Sequence, residues 1–212
     1  TAQLHQYTCP HAFLHASMSS FTESIETVAA ALEHNSKRFE ELDSVAGDGD
    51  LGITAGNIAK GLRAGAAGAT GDLKADLMLI GREIAKNAPS TFGTLFATGF
   101  IRASAAVADV DAFTNVQLGV AAAYEGIATR GKASLGERTL LDALHPASEA
   151  LKGATDLKTG LNEAASAARA GVIATAAMAP KHGRAGWIGE RAQGNEDAGA
   201  SVIAVVFEAL RN

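Results

Sequence analysis

The sequence predicts an all-α, single-domain protein, and three observations carry that prediction. Its residues are 47% hydrophobic yet only 5% aromatic, with Ala and Gly filling many apolar positions. Ala is the strongest helix former and a poor strand former, so such a core suits closely approaching helices. Apolar residues also recur at helical spacing between clear breakers, and no segment alternates as a strand does. The run Ser201-Val-Ile-Ala-Val-Val-Phe is the nearest to a strand, but Glu208-Ala-Leu210 continues it as a helix.

Taken in order, a loose segment over residues 1–19 carries Pro10 and three histidines. The domain proper is expected over 20–212. A first helix opens after Ser20, with Phe21, Ile25, Val28, Ala29 and Leu32 on one stripe and Glu23 and Glu26 near its positive end, and runs to about Leu42. A second spans Ile53 to about Ala64 and stops at the Gly65–Gly71 cluster. A third covers Leu73–Lys86, ended by Asn87 and Pro89. The fourth and fifth are expected over Gly93–Ala108 and Ala112–Thr129.

A loop from Arg130 to Arg138 follows. The sixth helix, Thr139–Leu151, contains Pro146 as an expected kink, with Thr139 and Asp142 suited to its cap and first turn. The seventh covers Leu157–Ala179 before Pro180, and the eighth is Ala200–Leu210. Eight helical stretches result, and their Gly- and Asp-rich junctions are placed to meet at one end of a bundle.

Charge narrows the functional classes. The net charge is −5 and no basic run occurs, which argues against nucleic acid and against an anionic membrane surface. No apolar run approaches the ~18 residues of a membrane span. The single cysteine, Cys9, excludes an internal disulfide, and the first lysine is Lys37, so no signal peptide is readable. A cytoplasmic location is the expectation.

The chemistry concentrates in Asp43-Ser-Val-Ala-Gly-Asp48-Gly-Asp50-Leu51-Gly52. Gly47 to Gly52 matches G-x-G-x-x-G, but a helix rather than a strand precedes it, and two carboxylates inside the loop would repel a bare pyrophosphate. A divalent cation between carboxylate and phosphate removes that repulsion. Asp43, Asp48 and Asp50 are hard oxygen ligands suited to Mg²⁺, Mn²⁺ or Ca²⁺. An EF-hand does not fit, because its bidentate Glu would fall on Ala59 or Thr54. A solvated Asx turn with helix-capping aspartates is the plain alternative. The phrase Gly126-x4-Gly131-Lys132-Ala133 imitates a P-loop but ends in Ala, without the Mg²⁺-binding hydroxyl.

Asp43-x4-Asp48-x-Asp50-x-Gly52 resembles the metal loop of the nucleotide-binding (DhaL-type) subunits of dihydroxyacetone kinases. The resemblance continues through Gly93–Arg102, Arg130-Gly-Lys-Ala-x-x-Gly136-x-x-Thr139-Leu-x-Asp142, Gly183–Arg191 and Asp197-Ala-Gly-Ala200. It implies a barrel of eight antiparallel helices with ADP or ATP at one end. Two Mg²⁺ ions would be held by Asp43, Asp48 and Asp50. Leu51, Gly52, Ile53 and Thr54 would lie along the phosphates, and Thr91 and Phe92 would offer backbone amides to them. Gly131 and Leu140 would border adenine, and Arg184 with Asp197, Ala198 and Gly199 would complete the site. His145, Trp187 and Tyr124 have packing as their default role.

The resemblance also implies a partner subunit that holds the ketone. Two phosphoryl sources are open: retained ADP recharged by a phosphotransferase-system protein, which the stand-alone architecture favours, or exchangeable ATP, with erythrulose as an alternative ketose. A non-catalytic nucleotide-binding regulator is the rival from another class.

Overall fold

The computed structural model describes residues 10–182 and 194–211, with side chains from residue 20 onward. The described residues form helices α1 (Pro10–His34), α2 (Ser36–Ala46), α3 (Leu51–Ala67), α4 (Leu73–Asn87), α5 (Thr91–Ala106), α6 (Ala112–Gly131), α7 (Leu141–Gly153), α8 (Leu157–Thr175) and α9 (Ala198–Leu210), and no strand. Apart from α2, each helix packs on the next, and α9 returns to α1. The eight therefore close an antiparallel ring, with α2 as a short piece lying against α3 and α9.

Two differences from expectation fall on the first helix, and α8 ends at Thr175, four residues short of the expected Ala179. The first helix starts at Pro10, so the second half of the segment expected to be loose is helical; proline suits a first helical position because its missing N–H would be unpaired there anyway. That helix also breaks at Asn35. The Asn35 side chain donates to the Ala31 carbonyl at 2.8 Å, competing with the backbone ladder, and α2 restarts at Ser36. At Pro146 the helix continues to Gly153. Proline leaves the Asp142 carbonyl without its ladder partner, and α8 crosses here so closely that a methyl at Gly171 would overlap that oxygen.

Small residues explain the low aromatic content. A Cβ on Gly61 would lie 2.6 Å from Ile84 Cα, and one on Gly65 would lie 2.6 Å from Ile80 Cα. Helices α3 and α4 therefore approach backbone to backbone, where any side chain must push them apart. The core includes Leu32, Ile58, Leu62, Leu141, Val172 and Val202, all fully enclosed. Nine of the 13 residues of α9 are buried, which is why its sequence is apolar on every side and imitates a strand. Among the described residues no helix is long and apolar enough to cross a membrane.

Candidate functional site

Antiparallel order sends the N-termini of α3, α5, α7 and α9 to the same end of the ring, together with the C-termini of α2, α4, α6 and α8. Direct contacts fasten this end together. Thr54 of α3 hydrogen-bonds Ser90, the N-cap of α5, at 3.3 Å. A Cβ on Gly199 would stand 3.1 Å from the Phe92 ring, so α9 begins against α5. The Asp197 N–H donates to Thr175 Oγ1 at 2.8 Å, joining α9 to the end of α8. Arg38 of α2 reaches Glu196 at 2.9 Å. First-turn N–H groups of several helices thus face one region, an arrangement that favours anions.

The acidic loop lies at this end, between α2 and α3. Asp43, Asp48 and Asp50 each offer a carboxylate oxygen within 4.8 Å of the others, the one such group of metal-ligating side chains among the described residues. Gly49 takes φ +74°, a left-handed turn that favours glycine, and a Cβ there would crowd Ser44 Oγ at 2.5 Å. Gly47 leaves room for the Asp43 carboxylate, which accepts from the Leu51 N–H at 3.3 Å. Asp50 occupies the N-cap of α3 without a side-chain capping bond, so the capping role expected under the plain alternative is absent from it. By contrast Asp72, Asp111 and Asp156 all cap their helices.

These residues fit a hard cation. Mg²⁺–oxygen bonds of about 2.1 Å set oxygens on one ion no more than roughly 4.2 Å apart. Small side-chain rotations would bring the three carboxylates within that reach.

The other expected residues that are described reach the same end in different postures. Leu51 and Gly52 are buried, whereas Ile53 is 70% exposed. Thr54 is turned inward on its Ser90 bond, so its hydroxyl serves packing of α3 on α5. Phe92 begins an aromatic row with Phe96, ring centroids 6.2 Å apart, and its ring also lies against Gly199. Gly131 lies against Leu95, and Leu140 is core-packed at the start of α7. Ala198 and Gly199 form the first turn of α9. Arg184 and Trp187 lie outside the described residues. The His145 and Tyr124 rings meet at a tilt of 40°, with centroids 4.9 Å apart.

Sequence reasoning missed how strongly this end is wired. Asp142 accepts from the Gly136 N–H at 2.6 Å and the Thr139 N–H at 2.8 Å, folding the loop between α6 and α7. Glu137 accepts from the Ser134 N–H and meets His182 at 2.6 Å; these contacts hold its carboxyl down at about 2. Arg138 is turned inward and only 4% exposed, and burial draws its guanidinium below the ordinary value against the opposing pull of Asp197.

Asp197 caps α9 through the Ala200 N–H at 2.8 Å. Burial nevertheless raises its carboxyl from 3.8 to about 6, with Arg138 and the capping N–H groups opposing the rise. A carboxyl raised in the folded state adds stability below its unfolded pKa and loses that contribution as pH climbs through the folded one. Asp197→Asn keeps the cap and removes the charge. It is expected to raise thermal stability at pH 7–8 by on the order of 1–3 kcal/mol, with the gain shrinking toward pH 4 in melts across that range.

Comparison with known proteins agrees with this geometry. A family model described as the DAK2 domain matches residues 45–212. The PEP-dependent dihydroxyacetone kinase 1, ADP-binding subunit DhaL, of Listeria innocua is 33% identical over 187 residues, covering 84% of this chain and 88% of that subunit. L-erythrulose 1-kinase of Mycolicibacterium smegmatis is 31% identical over 88% of this chain, which spans only 34% of that longer protein. In structure, the dihydroxyacetone kinase of C. freundii aligns over 100% of this chain and 36% of its own, with a TM-score of 0.71 and 25% identity. A helical ring with its acidic loop at one end, matched to the family model from Val45 onward, makes this chain a member of the DAK2-domain family.

Proposed function

We propose that this chain is the nucleotide-holding subunit of a ketose kinase, working with a separate ketone-binding subunit and keeping ADP bound as a carrier that a phosphoprotein recharges. One observation supports it above the others: three carboxylates lie within 4.8 Å of one another where the helix N-termini converge. Carboxylates and helix N-termini together suit a Mg²⁺-bound polyphosphate, the first holding the cation and the second the anion. Two Mg²⁺ ions on Asp43, Asp48 and Asp50 would supply charge neutralisation and alignment for phosphoryl transfer.

The chain's own residues frame the nucleotide. The α3 start from Leu51 to Thr54 and the α5 start at Thr91 and Phe92 border the phosphates. Gly131 and Leu140 give a small and an apolar wall for adenine, and the Asp197–Gly199 turn closes the opposite side; Arg184, outside the described residues, is a further candidate ligand of the nucleotide. No general base or nucleophile is assigned here; the acceptor hydroxyl belongs to the ketose on the partner. The carrier reading draws support from the likeness to a stand-alone ADP-binding subunit over most of both lengths.

A second reading, direct use of ATP on erythrulose, is favoured by the erythrulose kinases among the relatives. Denaturing the purified protein and analysing the released nucleotide separates them. Stoichiometric ADP that survives dialysis supports the carrier. A site filled only by added Mg-ATP, with phosphorylation of erythrulose once a ketone-binding subunit is present, supports the second reading and overturns the first.

A further inference from the structure

Arg138 carries several costs that the fold does not require. It takes φ +59°, one of two non-glycine residues with positive φ among those described, the other being Lys132 at the C-cap of α6. Its guanidinium is buried, yet Nε and Nη1 meet no hydrogen-bond acceptor. An unbranched apolar side chain would fill a similar volume without stranding charged donors.

The surroundings enforce this posture. Asp142 pins the backbone N–H groups of Gly136 and Thr139 on either side, while Glu137 is fixed by Ser134 and His182. The turn between them drives Arg138 inward. There its Nη2 donates to the Asn195 carbonyl at 3.0 Å, and its charge faces Asp197.

We infer that Arg138 is a positioning residue of the nucleotide site: it braces the turn that opens α9 against the loop carrying Gly131 and Leu140, fixing the spacing between the two sides. This rests on the nucleotide-binding reading above. A brace of this kind holds the Ala198–Ser201 turn where a ligand needs it, while its unspent donors weaken the fold when no ligand is present. It therefore predicts a split that a merely structural arginine would not show.

The test uses the full chain as wild type, Arg138→Met and Arg138→Lys. Three quantities are read: Mg-ADP affinity by calorimetry, melting temperature without nucleotide, and hydrogen exchange of the Ala200 and Ser201 amides. Arg138→Met is expected to bind Mg-ADP at least tenfold more weakly, to melt at or above the wild-type temperature at pH 5, where Asp197 is largely protonated and needs no counter-charge, and to exchange those amides faster with α3 and α5 unchanged. Arg138→Lys, which restores the charge and a donor toward Asn195, is expected to recover part of the affinity. Should Arg138→Met fail to fold, a wild-type affinity in Arg138→Lys would overturn the inference, and a folded but weaker-binding Lys variant would support it.

Mg-ADP affinity within twofold of wild type in Arg138→Met overturns it, as does an affinity loss matched by a fall in melting temperature in both variants. If wild type itself ignores Mg-ADP, the functional reading fails separately. The exchange readout then decides the brace alone: faster exchange at Ala200 and Ser201 supports it, and unchanged exchange overturns it.

Discussion

Replacing Asp48 and Asp50 together with Asn is expected to reduce Mg-ADP affinity by roughly three orders of magnitude or more, while the protein stays folded. A carboxylate-to-amide change leaves size and turn geometry almost intact but removes two negative ligands from a cation that carries the nucleotide's own charge. Both side chains are exposed, so the fold loses little. The contrast between a collapsed affinity and a nearly unchanged ligand-free melting temperature, followed by calorimetry and thermal melts, checks this. Retained affinity would show that phosphates meet the backbone amides directly, without a metal.

Gly52→Ala is the second large effect. A methyl at this position overlaps the Ser36 carbonyl oxygen and comes within 3.1 Å of Glu40 Cβ, so α3 cannot start where it does without displacing α2. Overpacking of this sort costs about 1–3 kcal/mol, which for a chain of this size lowers the melting temperature by roughly 2–12 °C. Because α2 carries Asp43 and runs directly into the loop that holds Asp48 and Asp50, Mg-ADP affinity should fall by at least about tenfold, on the order of the 1.4 kcal/mol that separates decades of affinity. Gly56→Ala on the same helix is the control: nothing lies within 4 Å of its Cβ, and the helix gains propensity, so neither stability nor affinity should drop. Equal behaviour of the two variants would refute the close-approach argument.

The sequence was legible where chemistry is local. Carboxylates spaced 43, 48 and 50 around Gly47 and Gly49 declare a tight acidic turn before a helix, and the structure brings all three together. The starts of α4, α6 and α8 fall where expected, each behind an aspartate (Asp72, Asp111, Asp156) that accepts a first-turn N–H, whereas α5 opens at Thr91 behind Ser90, two residues ahead of the expected Gly93. The break at Asn35 was not legible, because Phe39 continues the apolar stripe into α2 and only the Asn35 amide's bond to Ala31 reveals the interruption.

Roles that depend on tertiary direction were hidden as well. Thr54 sits among phosphate-side positions in sequence, yet its hydroxyl turns to Ser90. Arg138 reads as a loop cation, because its own position does not show that Asp142, six residues from Gly136, folds it inward. The available signal was the run of Gly136, Thr139 and Asp142 at turn spacing, which marks a carboxylate able to collect two backbone N–H groups.

The central claim is that Asp43, Asp48 and Asp50 hold a divalent cation for phosphates and do not bind phosphates themselves. Calorimetric titration of the nucleotide-stripped wild-type protein with ADP, in millimolar Mg²⁺ and again in excess EDTA, tests it most directly. Saturable one-to-one binding with Mg²⁺ and at least a hundredfold loss without it are expected. Equal affinity in both solutions would contradict it.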